Sequence, residues 1–156
     1  MAYHVEILRL SEEFYRVYPK AQFPELLEKE ARPYACLVIE VRDYTICIPY
    51  RTNIQHTQAY RFKLSKRAVS HHSGLDYTKM VLIREPRYVE RTPAVIDPDE
   101  YKETMIRLEQ IVSSATAYLD TYICHVNREK PLHPREYARQ YAFSTLPYFH
   151  DVLGLT

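Results

Sequence analysis

An α+β domain, a small curved antiparallel sheet followed by a long helix and several shorter ones, is the fold class this chain predicts. Three observations carry it. Two segments rich in Val, Ile, Tyr and Thr, Tyr34 to Val41 and Tyr44 to Ile48, flank a short Arg42-Asp43 connection, as a tight hairpin requires. Asp97-Pro98-Asp99-Glu100 places an N-cap, a Pro at N1 and a Glu at N3 ahead of a helical repeat. Strand-like pieces crowd the first half of the chain and helix-like pieces the second. With 156 residues, 46% of them hydrophobic, there is core enough for a single domain over residues 1–156.

Taken in order, Val5 to Leu10 reads as extended, and short helices are expected near Ser11 to Tyr18 and Pro24 to Ala31. The hairpin follows. Pro49 has no N–H to give the ladder, so the chain is expected to leave the sheet there, putting Tyr50, Arg51, Thr52 and Asn53 on a loop. Further extended pieces are expected at Ala59 to Leu64, Lys79 to Arg84, Arg87 to Glu90 and Ala94 to Ile96. Beyond the Asp97 cap, Tyr101, Met105, Leu108, Val112, Ala115, Leu119, Tyr122 and Val126 recur at alternating steps of four and three. That spacing predicts one apolar seam, about thirty residues long, covering the sheet. A second helix is expected over Pro134 to Phe143, and a last one over Leu146 to Leu153 with Gly154 as its C-cap.

Charge is distributed unevenly. From Tyr44 to Leu75 there is no Asp or Glu, while Arg51, Arg61, Lys63, Lys66 and Arg67 fall there with His56, His71 and His72. The rest of the chain has 16 basic and 20 acidic residues, so the formal net charge of +1 hides a positive segment. Such a field draws polyanions, and phosphate backbones are the commonest of these. Arg61 and Lys63 alternate with Tyr60, Phe62 and Leu64, which makes either a basic strip for RNA or a solvated outer sheet face. Lys66, Arg67, His71 and His72 would extend the RNA-gripping surface.

Several classes are disfavoured. The basic stretch offers no carboxylate for Mg²⁺, and His71 and His72, as neighbours on a strand, would point apart, so no metal site is expected. Cys36, Cys47 and Cys124 lack C-x-x-C spacing and read as small core residues. Two Gly residues cannot build a phosphate-cradling Gly loop, and no cofactor is expected. The N-terminus has no secretory pattern and no window approaches the ~20 apolar residues of a membrane span, so a cytoplasmic protein without a membrane partner is expected.

One run of motifs carries a family likeness. Arg32-Pro-Tyr-Ala-Cys-Leu-Val-Ile-Glu-Val is followed by a strand ending Ile48-Pro49-Tyr50-Arg51-Thr52-Asn53. His56, a basic strand at Tyr60 to Leu64, and Gly74-Leu75 leading to Lys79-Met-Val-Leu-Ile come next. In this order the chain resembles the type III toxin–antitoxin endoribonucleases, the ToxN, AbiQ and CptN group. The similarity spans roughly residues 1 to 126, is most specific over 32 to 83, and is closest to the CptN branch. The resemblance implies a MazF-like, SH3-like barrel elaborated with helices and metal-independent RNA cleavage. It also implies inhibition by a repeated, structured antitoxin RNA, a pseudoknot, with protein and RNA units alternating into a closed assembly that serves phage defence.

The family's basic residue before the first hairpin strand corresponds to Arg32, and its hydroxyl residue after the second corresponds to Thr52. Where better-known members put a lysine two positions later, this chain has Ile54, so Arg51 and His56 become the candidate replacements. A family Tyr on the first short helix corresponds to Tyr15, and Lys79 joins the RNA-binding set.

Cleaving RNA without metal requires a 2′-hydroxyl to be deprotonated, the phosphate held in line, and the leaving 5′-oxygen protonated. Arg51 and Arg32 suit the phosphate because a guanidinium stays charged and offers paired donors. Thr52 and Asn53 can orient it, and His56 is the natural proton-transfer group, since imidazole can serve as acid or base. Each has a plainer reading: Thr52-Asn53 as a side-chain-to-backbone turn, Arg32 as a partner of Glu28 or Glu30, His56 as a solvated loop residue. The competing function is a non-catalytic RNA-binding small-barrel module, with inhibition of a protein target as a third.

Overall fold

The computed structural model describes residues 3–28, 34–41 and 43–155. Its strands are β1 (Val5–Arg9), β2 (Ala35–Glu40), β3 (Thr45–Arg51), β4 (Ala59–Arg61), β5 (Gly74–Asp76) and β6 (Val81–Ile83). They form one six-stranded antiparallel sheet in the order β1-β2-β3-β5-β4, with β6 also on β3. The hairpin is where the sequence puts it: Val41 N–H donates to the Tyr44 carbonyl at 3.0 Å. β3 does not end at Pro49, contrary to expectation. Thr45 to Cys47 pair with β6, Tyr50 and Arg51 pair with β5, and Pro49 falls between the two stretches. A missing donor there leaves no gap in either ladder, so Pro49 marks a change of partner rather than an exit.

Downstream of β6 the chain crosses to the outer edge of β1. Tyr88 accepts from Ser11 N–H, Glu90 N–H donates to the Arg9 carbonyl and Ala94 N–H to that of Ile7, each at 2.8 Å. The expected strands at 87–90 and 94–96 do not form. Pro86–Tyr88 is a 3-10 turn, Val89 makes a single bridge to Leu10, and Ala94 reaches β1 by its amide alone. The six strands do not close into a barrel.

The short helix expected near Ser11 to Tyr18 forms as α1 (Glu12–Val17), and the Ser11 hydroxyl caps it. The expected helix from Pro24 is a turn over residues 24–26, and its end at 29–31 lies outside the described residues. Helix α2 (Lys66–His71) and strand β5 are additions within a stretch read only as basic surface. His71 and His72 therefore sit at a helix end, not on a strand.

The long seam is broken. α3 (Pro98–Ile106), capped by Asp97, and α4 (Leu108–Val126) meet at Arg107. α4 buries Ile111, Val112, Ala115, Tyr118, Leu119 and Tyr122 in the core, but Tyr101 and Met105 of α3 are 49% and 41% exposed. The inward face of α3 is polar, consisting of Glu100, Glu103 and Thr104. Its task explains this. Beyond β4 the amides of Lys63 and Leu64 both donate to Glu103, as does the Tyr60 hydroxyl at 2.5 Å, while the Tyr50 and Thr104 hydroxyls meet at 3.0 Å. An apolar face would leave those buried groups without partners. α5 (Pro134–Tyr141) and α6 (His150–Leu153) end the fold, the latter after a 3-10 turn at Leu146–Phe149 and stopped by Gly154 at φ +70°.

Gly74 is required by close approach. A Cβ there would lie 2.2 Å from the Tyr60 carbonyl oxygen and 3.1 Å from Arg61 Cα. Since the obstacle is backbone, Gly74→Ala is expected to separate β5 from β4 and cost at least about 2 kcal/mol in urea unfolding. A variant as stable as the wild type would contradict this packing.

Candidate functional site

Three consecutive devices hold the stretch after β3. Asn53 adopts a left-handed conformation at φ +59°, which Asn tolerates better than most residues. Its amide donates to the His71 carbonyl at 2.7 Å and the Ile54 amide to that of His72 at 3.1 Å, so the loop sits on the C-terminal end of α2 and satisfies its free carbonyls. The Ile54 side chain, 2% exposed, plugs into the body of the protein. A hydrophobic anchor thus occupies the position where the resemblance would have placed a lysine. Finally, Arg61 Nη2 donates to the carbonyls of Ile54 at 2.7 Å and His56 at 3.1 Å. This arginine shapes the loop rather than standing free on a strip.

The centre of the arrangement is Asp76, fully buried at the end of β5. Arg51 Nη1 donates to its Oδ2 at 3.0 Å, and the Thr78 amide and hydroxyl donate to its Oδ1 at 3.0 and 2.7 Å. His56 Nε2 lies 3.1 Å from Oδ1, at ion-pair distance but off the line of a hydrogen bond. Burial by itself would raise the Asp76 carboxyl. The His56 contact, the Thr78 hydrogen bonds and the charge of Arg51 outweigh it, holding the group below the ordinary 3.8.

His56 is hydrogen-bonded at Nδ1, while its Nε2 lies against Asp76 without a hydrogen-bond partner among the described residues. The Gln58 amide donates to its Nδ1 at 3.0 Å, so Nδ1 is the acceptor and the ring hydrogen sits on Nε2, toward Asp76. Asn53 is exposed, with its Oδ1 accepting from Gln55 at 2.6 Å.

On its other side Arg51 opens onto a cleft of about 470 Å³ between the ends of β1, β2 and β3 and the start of α3. Arg9, Thr52, Arg67, Tyr34 and Tyr50 line it, with Asp97 and Glu100. Arg67 is paired with Glu100, which also accepts from Ser73 at 3.0 Å. The Nε atoms of Arg9 and Arg51 are buried, and neither has a hydrogen-bond partner among the described residues.

Of the residues the sequence singled out, the structure brings Arg51, Thr52 and Arg67 to the cleft and His56 to Asp76, beside but not in the cleft lining. Arg32 lies outside the described residues. Tyr15 is half-buried with its hydroxyl donating to the Leu27 carbonyl at 3.3 Å, and burial pushes its pKa up. Lys79 is tied to Glu25 at 2.7 Å and to the Phe143 carbonyl at 2.8 Å. Lys63, Lys66, His71 and His72 are exposed beside the loop and α2. Missed altogether were Asp76, one residue past the acid-free stretch, and Arg9, an arginine set between Leu8 and Leu10. Buried Asp76, Glu100 and Glu103 all abut the stretch that lacks acids in sequence.

No family model, curated protein or solved structure matches this chain. Among the described residues no helix is long and apolar enough to cross a membrane, and no group of three or more His, Cys, Asp or Glu is placed to hold a metal.

Asp76→Asn is expected to lower stability by about 2 kcal/mol or more, since it leaves Arg51 without its counter-charge. A carboxyl whose folded pKa is depressed contributes stability above the unfolded value of about 3.9 and loses it as pH falls through the lower folded value. The gap between wild type and variant should therefore be full near neutrality and narrow below about pH 4. Urea unfolding across pH measures it, and a gap independent of pH would refute the assignment.

Proposed function

We propose that this chain is a metal-independent endoribonuclease, the toxin of a type III toxin–antitoxin system, acting in the cytoplasm on RNA laid along the cleft. One observation carries the reading. Arg51 is fixed from behind by buried Asp76 and lines the cleft beside Thr52, a pair of donor side chains suited to a phosphate. The family likeness over 32–83 supplies the reaction class, and the return of residues 88–94 onto β1 is compatible with the SH3-like barrel that likeness implies.

In the reaction, a 2′-hydroxyl attacks the adjacent phosphorus, its proton passes to a base, the P–O5′ bond breaks and the 5′-oxygen takes up a proton. The products are a 2′,3′-cyclic phosphate and a 5′-hydroxyl. Arg51 stabilises charge on the phosphate oxygens, and Thr52 orients them. His56 transfers a proton once RNA draws its Nδ1 away from the Gln58 amide, and Asn53 and Arg32 complete the contacts. The exposed residues Lys63, Lys66, His71 and His72 take the flanking backbone. The inhibitor is the processed antitoxin RNA, a folded repeat that contacts two faces of the toxin and so propagates into an alternating, closed assembly.

A second reading, a non-catalytic RNA-binding module, is favoured by the Gln58 amide's hold on His56 Nδ1. RNA-stripped protein incubated with a defined RNA in EDTA separates the two. Cleavage with cyclic-phosphate ends is expected, slowed by at least about a hundredfold in Arg51→Ala and in His56→Ala. Both variants should be checked for folding by circular dichroism. Intact RNA, bound in a salt-sensitive way, would replace the nuclease by the binding module.

A further inference from the structure

We infer that Arg9 is a phosphate-binding residue of the cleft, taking the RNA phosphate next to the one held by Arg51 and Thr52. Its ligand being RNA rests on the function proposed above. Arg9 ends β1, opposite Ala35 of β2, and its side chain lines the cleft with Arg51, Thr52 and Arg67. The other two arginines are neutralised by the fold, Arg51 by Asp76 and Arg67 by Glu100. Arg9 has no carboxylate within 4.0 Å among the described residues, and its buried Nε donates to none of them. A half-buried guanidinium in that state is poorly solvated and poorly paired, a deficit that an entering anion removes.

The two acids of the cleft are already committed. Asp97 accepts from the amides of Asp99 and Glu100 at 3.0 and 3.1 Å, and Glu100 holds Arg67 and Ser73. Arg9 therefore sets the sign of its end of the cleft. β1 and β3 flank β2, so the backbones of Arg9 and Arg51 lie about 10 Å apart. That separation suits a ligand with more than one phosphate better than a single small ion. A cleft of about 470 Å³ is within the range of nucleotide-sized ligands.

The test uses a short single-stranded RNA with 2′-O-methyl riboses, which cannot be cleaved, and pyrophosphate as a second probe. Binding is measured across salt for wild type, Arg9→Met, Arg9→Lys and, as a charge control that does not line the cleft, Arg91→Met. Arg9→Met is expected to weaken RNA binding about tenfold or more and to reduce the slope of log affinity against log salt by about one. Arg9→Lys should restore most of the affinity, and Arg91→Met should match wild type. Arg9→Met within twofold of wild type, with RNA still bound, would overturn the inference and leave the RNA reading standing. Pyrophosphate bound in an Arg9-dependent way without any RNA binding would support the phosphate site and overturn the RNA reading. Binding of neither probe would overturn both.

Discussion

A carboxylate buried in a protein must be paired or pay heavily for its charge, and Asp76 is paired on every side that matters. Arg51 reaches it from the end of β3, His56 from the following loop, and Thr78 from the turn after β5. Three separate segments are thereby fixed to one charge. Its pKa is held down although burial acts the other way, so the pairing outweighs the desolvation. The arrangement also reaches the C-terminal region, because the Thr78 carbonyl accepts from the Thr145 amide at 2.9 Å. β5 can deliver Asp76 to this place only because Gly74 lets it lie against the Tyr60 carbonyl. Sterics at a glycine, burial of a carboxylate and presentation of an arginine are one chain of cause.

A similar logic governs α3. The positive stretch looks unopposed along the chain, yet Glu100 and Glu103 come down on it from the helix above. One neutralises Arg67, and the other gathers the amides that follow β4. The helix keeps its apolar residues Tyr101, Met105 and Ile106 outward and Glu100 and Glu103 inward, the inverse of an ordinary amphipathic helix. Much of the basic segment is therefore held in internal pairs. What remains for a partner is the cleft face of Arg51, Arg9, and the exposed side chains around α2.

Local patterns made the hairpin, the short first helix, the Asp97 cap, α5 and the Gly154 stop legible in the sequence, because each depends on neighbouring residues alone. The break at Arg107 was hidden because Tyr101 and Met105 continue the four-three repeat, and periodicity cannot tell which face the tertiary structure needs. Pro49 misled because a proline is harmless where a strand changes partner. Arg51 and Thr52 were legible from their place at the end of a strand. Asp76 was not, since an acid just outside a basic run carries no mark of being folded back onto it. Arg9 was hidden by its position in a short apolar strand.

The central claim is that Arg51 is held in place by the Asp76 charge, and a double-mutant cycle in urea unfolding tests it most directly. Arg51→Met, Asp76→Asn and the combination would be compared with wild type near neutral pH. A coupling of about 2 kcal/mol is expected, the double variant costing little more than the worse single one. Additive single effects would contradict the account, because they would mean that the two side chains lie together without depending on each other.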